Sequence, residues 1–339
     1  MFTTIVFFAV FLGLIALTIV LWAVFLGLGL RWAKVEKLTK RRIVATTAIV
    51  ISLQIALNIL FFLIASSVPG QPILRLIVEL AIGIGLPCIV IGRVFKIGMV
   101  QSLKAWLPTL GSIVISLLVS FLLIRPFVFE AFMTPTNAMA PTLIGNRSEA
   151  VCKQCGQTSY GRAVYNQYSS GRYTHMICDN FHVHEVSDVG GQVRTGDKFV
   201  VAKFMAPRRW DVITFERPGN RSVLYVMRVV GMPDETIHIQ DGAVWVNGKK
   251  LTPPQSLSGI EYVTQLPSSF QEGWGTADRP AKLGKDEYFV LGDFSVQSFD
   301  SRFWKQGAPG RNTYAVPESH IKGVVTHRYW PLSRWRVFR

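Results

Sequence analysis

The stretch MTPTNAMAPTL, residues 133–143, divides this chain into two parts of different composition. Before it, apolar residues crowd into roughly the first 125 positions. After it, the composition is that of an ordinary globular domain of about 200 residues, a usual size for a single domain. We therefore expect an apolar helical region at 1–125 and a globular domain at 126–339, with this stretch at the entrance to the second.

The bulk composition indicates a membrane component. The chain has 339 residues, of which 50% are hydrophobic, and a formal net charge of +15. Soluble domains rarely have a composition this rich in apolar residues. Beyond residue 140 the basic residues are dispersed among aromatic residues and turns, so nucleic acid is not an expected partner. The lipid bilayer, with an anionic surface, is the favoured partner for the surplus charge.

Four apolar stretches are long enough to cross a membrane, which takes about 20 residues as a helix. They lie at about 4–30, 43–65, 74–92 and 105–124. The first has no basic region before it and is too long for a secretory signal, so we expect it to be retained.

The charges of the short loops predict the orientation of these spans. The first loop carries six basic residues, Arg31, Lys34, Lys37, Lys40, Arg41 and Arg42. The second loop carries only Arg75, and the third carries Arg93, Lys96 and Lys104. Because basic loops stay in the cytoplasm, the N-terminus and the globular domain are expected outside.

The globular part is dominated by strand signals after residue 195. Short β-branched and aromatic runs such as KFVVAKF, DVITF and EYFVLGD are separated by turn residues. Asp241-Gly242 predicts a hairpin, and Asn247-Gly248 a second turn. Many short strands of this kind are typical of a β-barrel or sandwich, here with a loop-rich insertion at 252–285.

Four motifs in the globular part resemble, in order, the boxes of type I signal peptidases (leader peptidases). The first is TPTNAMAPTL after IRPFVFEAF, and the second is GDKFVVAKF with RRWDVITF. The third is YVMRVVGMP and the fourth is LGDFSVQSFDSRFW. Four ordered boxes are far more specific than one isolated match. The resemblance implies a signal-peptidase-like β domain held outside the bacterial cytoplasmic membrane by multiple spans, and signal peptides of exported preproteins as partners.

The family's chemistry is Ser–Lys acyl transfer, in which a serine is a weak nucleophile until a base removes its proton. A lysine serves as that base only when burial lowers its pKa. The resemblance places the nucleophile at Ala138 and the general base at Met227, and neither side chain can perform its role. No cofactor for catalysis is expected.

The resemblance assigns the surrounding residues as well. Thr136 matches the oxyanion-hole hydroxyl, and Ser298 matches the hydroxyl that orients the lysine. The other matched positions are a supporting ion pair and three substrate-binding residues: Asp300, Arg302, Pro135, Met139 and Pro141. The family's Asn after Gly292-Asp293 is replaced by Phe294.

The cysteines of an insert at 146–190 offer metal ligands. Cys152 and Cys155 form Cys-x-x-Cys, and Cys178 follows with His182 and His184 close behind. This spacing fits a structural zinc site of Cys152, Cys155, Cys178 and His182. A disulfide, favoured outside the cytoplasm, or free thiols are the alternatives.

Three functions follow from these observations. The first is a signal peptidase homologue without catalysis that binds signal peptides or an active relative. The second is an active peptidase that uses a shifted pair, Thr134 or Thr136 with Lys203, although a hydroxyl two residues along a strand lies about 6–7 Å away. The third is a structural membrane protein that recruits partners through the Cys/His insert.

Overall fold

The computed structural model describes residues 2–36, 38–65, 72–163, 173–187, 193–265 and 273–339. Predictions that fall on the second loop at 66–71, and on parts of the 146–190 and 252–285 insertions, lie outside the described residues. The chain forms two compact units. The first, Ile5–Ile124, is helical, and the second, Met1–Thr4 with Arg125–Arg339, contains the strands.

Long apolar runs form the helices of the first part of the chain, as the sequence predicts. The regular helices are α1 (Phe2–Trp32), α2 (Lys40–Ala65), α3 (Pro72–Leu80), α4 (Leu86–Phe95), α5 (Met99–Trp106), α6 (Leu110–Val119) and α7 (Arg125–Phe127). Irregular turns join some of them: π-helices at Ala81–Gly85 and Ser120–Ile124, and a 3₁₀ helix at Leu107–Thr109. Four continuous helical stretches are long and apolar enough to cross a membrane: Thr3–Trp32, Lys40–Ile64, Ile73–Phe95 and Met99–Phe127. The four predicted apolar helices are therefore confirmed, with longer bounds.

The helices of this unit pack closely around a small buried core. Leu26, Leu30, Ile91 and Ala105 are fully buried in it. A Cβ on Gly29 would come within 2.0 Å of the Ala105 carbonyl oxygen, so only glycine allows α1 and α5 this approach.

The described residues of the second unit form sixteen strands in three sheets. They are β1 (Phe129–Met133), β2 (Arg147–Val151), β3 (Thr158–Arg162), β4 (Tyr173–Cys178), β5 (Val183–Ser187), β6 (Lys198–Ala202), β7 (Val212–Arg217), β8 (Asn220–Gly231), β9 (Thr236–Gln240), β10 (Ala243–Val246), β11 (Lys249–Lys250), β12 (Ala281–Lys282), β13 (Glu287–Leu291), β14 (Val316–Pro317), β15 (Ile321–Trp330) and β16 (Arg336–Val337). Short 3₁₀ helices lie at Gln255–Leu257, Ser295–Gln297, Glu318–His320 and Leu332–Arg334.

The main sheet is antiparallel and has the order β1-β6-β15-β7-β8-β13-β14, with β16 paired to β15. A second sheet has the order β11-β10-β9-β12, and the 146–190 insert forms a third, β2-β3-β4-β5. Among the described residues no sheet closes on itself, and neither the barrel nor the sandwich expected from the strand pattern is confirmed.

Both predicted turns are confirmed. Ala243 pairs with Gln240 across Asp241-Gly242, where φ is +51° and +73°. At Asn247-Gly248 φ is +50° and +77°, and the chain turns back into β11. Positive φ at both central residues is the hairpin turn that Asp-Gly and Asn-Gly favour.

One buried ion pair connects three distant segments of this unit. The Arg228 guanidinium on β8 donates through Nε and Nη2 to the Asp293 carboxylate, at 2.7 and 2.5 Å. The Thr142 hydroxyl donates to the same carboxylate at 2.5 Å. Burial disfavours the charge, but Asp293 outweighs that cost and raises the pKa of Arg228 above its ordinary value.

We expect Asp293→Ala to destabilise the protein by about 3–5 kcal/mol, because it leaves the buried Arg228 charge without its carboxylate partner. The measurement is chemical denaturation of the full chain in detergent, followed by tryptophan fluorescence. The matched control is Asp286→Ala, which breaks a half-exposed pair with Arg311 and should cost at most about 1 kcal/mol. Equal losses from the two variants would contradict this assignment.

Candidate functional site

A cavity of about 570 Å³ lies beside the opening motif of the sequence. One side is formed by residues 135–138 and the other by residues 223–227 of β8. Ala138 and Met227, the positions that the resemblance assigns to nucleophile and base, therefore line the same cavity. Thr136 and Pro135 line it too, and both are exposed.

Asn137 fixes the turn that presents Ala138. Its Nδ2 donates to the carbonyl oxygens of Asn146 and Gly161, both at 3.0 Å, and its Oδ1 accepts the Gly145 N–H at 2.8 Å. Two of the bonds join the motif to Gly145 and Asn146, where the 146–190 insert begins, and the third joins it to Gly161 on β3 of the insert. The position of Ala138 thus depends on backbone groups that no sequence pattern marks.

Met227 is 3% exposed and belongs to the main apolar core of the unit, together with Met139 and Trp304. Unbranched and polarizable, methionine fills such a slot in a core well. A lysine stem and a methionine side chain have similar volumes, so the substitution keeps the core filled while removing the amine.

The other residues assigned by the resemblance surround Gly292. A Cβ on Gly292 would lie 2.1 Å from Ser298 Oγ and 2.6 Å from the Ala138 carbonyl oxygen, so these groups lie close together. Asp300 accepts the Gly292 N–H at 2.9 Å and receives two bonds from Arg302, at 2.8 and 2.7 Å. Both charged side chains are fully buried, so this pair holds the Gly292 turn in place.

Not every assigned residue reaches the cavity. Met139 and Pro141 are buried, and neither is among the described residues that line it. Met139 packs in the main core, and the Pro141 carbonyl accepts a bond from Arg334 at 2.8 Å. Phe294 is also buried, and its ring packs with Tyr160 and Ile177 of the insert.

Sequence reasoning did not assign most of the residues that line the cavity to the site. Arg162 and Ala163 come from the insert, and Gln297 and Phe299 come from the fourth box. Val223 and Leu224 could have been found, because they lead directly into the YVMR motif. The insert residues carry no comparable signal.

The described cavity lining contains no candidate general base. Its ionisable side chains are Arg162 and Tyr225, and none of its described residues is Lys, His, Asp, Glu or Cys. Lys203, the base of the shifted pair, instead donates from Nζ to Glu130 at 2.5 Å and lies outside the lining.

The insert brings its three cysteines and one histidine together. The ligand atoms of Cys152, Cys155, Cys178 and His182 all lie within 4.8 Å of one another, and no disulfide joins the three cysteines. Burial alone would raise the pKa of the Cys152 thiol, but N–H donors of Cys155 and Gln154 and the His182 ring lower it to about 6.

Ser298 and Ser301 offer a matched test of the site. Both are fully buried, but Ser298 Oγ has no hydrogen-bond partner among the described residues, whereas Ser301 Oγ accepts the Val290 N–H at 3.0 Å. We expect Ser298→Ala to leave stability unchanged or raise it by about 1 kcal/mol, and Ser301→Ala to lower it by about 1–3 kcal/mol. Chemical denaturation measures both, and an equal loss from each would contradict the unpartnered hydroxyl.

Comparison with known proteins agrees with these motifs. Residues 104–330 match the family described as signal peptidase, peptidase S26. The chain is 32% identical over 153 residues to signal peptidase I of Leptolyngbya laminosa, across 42% of this chain and 64% of that relative. It is 35% identical over 129 residues to signal peptidase I V of Bacillus subtilis (strain 168), across 37% of this chain and 67% of that relative.

A solved structure of a signal peptidase I from Enterococcus faecalis V583 is also similar, at 26% identity and a TM-score of 0.26. The match covers 36% of this chain and 98% of that structure. The family match extends over most of this chain and includes all four motifs. The chain therefore belongs to the signal peptidase family, peptidase S26.

Proposed function

We propose that this protein is a membrane-anchored signal peptidase homologue that binds extended segments of exported polypeptides without cutting them. The observation that carries the proposal is that Ala138 and Met227 line one cavity, together with other residues of the first, third and fourth motifs. The groove of a peptidase is kept, while the two groups that would move a proton and attack a carbonyl are replaced by a methyl group and a thioether.

The edge of β8 supports binding by strand addition. β13 pairs with β8 only at Arg228, Val229 and Gly231, on the edge opposite β7. Among the described strands, none pairs with that edge at residues 223–227. Its backbone N–H and C=O groups are therefore available to an extended peptide lying in the cavity.

The cavity's side chains support an apolar or small-residue ligand. Val223 is 36% exposed, Leu224 is 44% exposed and Phe299 is 40% exposed, and all three line the cavity. Exposed apolar side chains grouped in a concave site are typical of binding surfaces. A peptide with small apolar side chains would cover them.

The chemistry of the lining argues against a shifted active site. A hydroxyl nucleophile needs a base within hydrogen-bond reach, and the described lining offers none. Thr134 is 1% exposed, and Lys203 is held by Glu130. Slow residual hydrolysis would then rest on binding and oxyanion contacts alone.

We further propose that the four apolar helices span the bacterial cytoplasmic membrane, with the β domain outside. The basic residues of the first and third loops support this orientation. A C-terminal alkaline phosphatase fusion should be active in cells, because that enzyme folds only outside the cytoplasm. Activity only in a fusion after residue 36, and none at the C-terminus, would reverse the orientation.

The decisive experiment is the double reversion Ala138→Ser with Met227→Lys. The unaltered chain should bind a preprotein without cutting it, and the double variant should cut it at least about 100-fold faster than Ala138→Ser alone. Because position 227 is almost fully buried, the lysine pKa should be depressed. Cleavage should therefore rise with pH through that value and level off above it.

Two controls give this experiment its meaning. Ala138→Ser with Met227→Gln supplies a polar side chain without a base and should stay inactive. Leu224→Glu should weaken preprotein binding about tenfold or more, whereas Leu332→Glu, exposed outside the cavity, should not. Rapid turnover by the unaltered chain that Thr136→Val abolishes would overturn the proposal and favour the shifted site.

A further inference from the structure

We propose that Cys152, Cys155, Cys178 and His182 bind one Zn²⁺ ion, and that this ion braces the wall of the peptide cavity. The four ligand atoms already lie within 4.8 Å of one another. Three thiolates and one imidazole form a common ligand set of structural zinc sites. The site lies outside the cavity and takes no part in the chemistry discussed above.

Two hairpins supply the ligands in matching ways. Cys152 and Cys155 lie in the turn between β2 and β3, whereas Cys178 ends β4 and His182 lies in the turn before β5. Both turns lie at the same end of the β2-β3-β4-β5 sheet, because the connected strands are antiparallel. Local bonds shape each turn: Gly156 N–H donates to the Cys152 carbonyl at 2.9 Å, and Phe181 N–H to the Cys178 carbonyl at 2.9 Å.

Two of the ligand–ligand separations are close to those of a tetrahedral site. Cys155 Sγ lies 3.7 Å from Cys178 Sγ, and Cys152 Sγ lies 3.9 Å from His182 Nδ1. A Zn–S bond of about 2.3 Å gives a tetrahedral edge of about 3.8 Å. A disulfide would bring two sulfur atoms to about 2.05 Å and would leave the third cysteine unpaired.

The composition of the ligand set indicates the role of the ion. Four protein ligands leave no open coordination position, so the ion is structural and not catalytic.

The braced sheet reaches the cavity at its other end. From Thr158, near the cysteines, β3 extends about 13 Å to Arg162, which lines the cavity together with Ala163. The Gly161 carbonyl accepts the bond from Asn137 that fixes the Ala138 turn. On the neighbouring strand, the His175 carbonyl accepts a bond from Gln297 at 3.0 Å.

An apolar contact joins the sheet to the same region. Tyr160 and Ile177 pack with Ala140, Ile144 and Phe294 in one buried cluster. The described part of the sheet forms no large apolar core of its own, and small domains of this kind commonly depend on a bound metal. Loss of the ion is therefore expected to loosen residues 158–163 and, through them, the wall of the cavity.

The first test measures metal in the full chain, purified in detergent without added chelator. Elemental analysis should find about one zinc per chain, and Cys152→Ser with Cys155→Ser should reduce it to below about a tenth. The matched control is His175→Gln, a histidine of the same sheet that pairs with Glu185 outside the cluster, and it should keep the zinc. Exchange of zinc for Co²⁺ should give the visible absorption of a tetrahedral thiolate site.

The second test needs no variant and so remains valid if the cysteine variant fails to fold. Removing the metal from the unaltered chain with a chelator should increase amide hydrogen exchange at residues 158–163 at least about fivefold, and added zinc should restore protection. A disulfide among the three cysteines, or zinc that persists in the double serine variant, would overturn the site. A metal-free chain with unchanged exchange would overturn its role as a brace.

Discussion

The buried pair of Arg228 and Asp293 is the interaction on which the rest of the site depends. Arg228 directly follows Met227 on β8, Asp293 follows Gly292, and Thr142 belongs to the motif that contains Ala138. One carboxylate therefore sets the relative positions of the three segments that build the cavity. Because a single unpaired member would leave a buried charge, the three segments are fixed together or not at all.

This arrangement explains how the fold around residues 138 and 227 can persist with alanine and methionine at those positions. None of the fixing bonds of the turn uses the side chains of residues 138 or 227; they are made by Asn137, Asp300, Arg302 and the central ion pair. Ala138 contributes its carbonyl, which accepts the Phe294 N–H at 3.0 Å, and any residue can do that. Met227 contributes apolar volume to the core, and unlike a lysine at this position it carries no charge that is costly to bury.

The sequence predicts those features whose signals are local. Long apolar runs identify the four helices, and Asp241-Gly242 and Asn247-Gly248 identify two turns, because each depends only on neighbouring residues. The motifs locate Ala138 and Met227, but their shared cavity depends on pairing between distant strands. The β2–β5 sheet was missed because its strands are short and partly polar, with sequences such as TSYGR and VHEVS. Whether the main sheet closes into a barrel depends on edge geometry that a strand pattern does not encode.

The ring of Phe294 carries a consequence for the stability of the chain. It occupies a place where the resembling family has a polar amide, and it is fully buried against residues contributed by the Cys/His insert. Deleting the insert would turn that ring out to water, and restoring the amide would bury an amide among apolar neighbours. The stability of this region thus depends on Phe294 and the insert together. Changing either one alone would lower the stability of the fold.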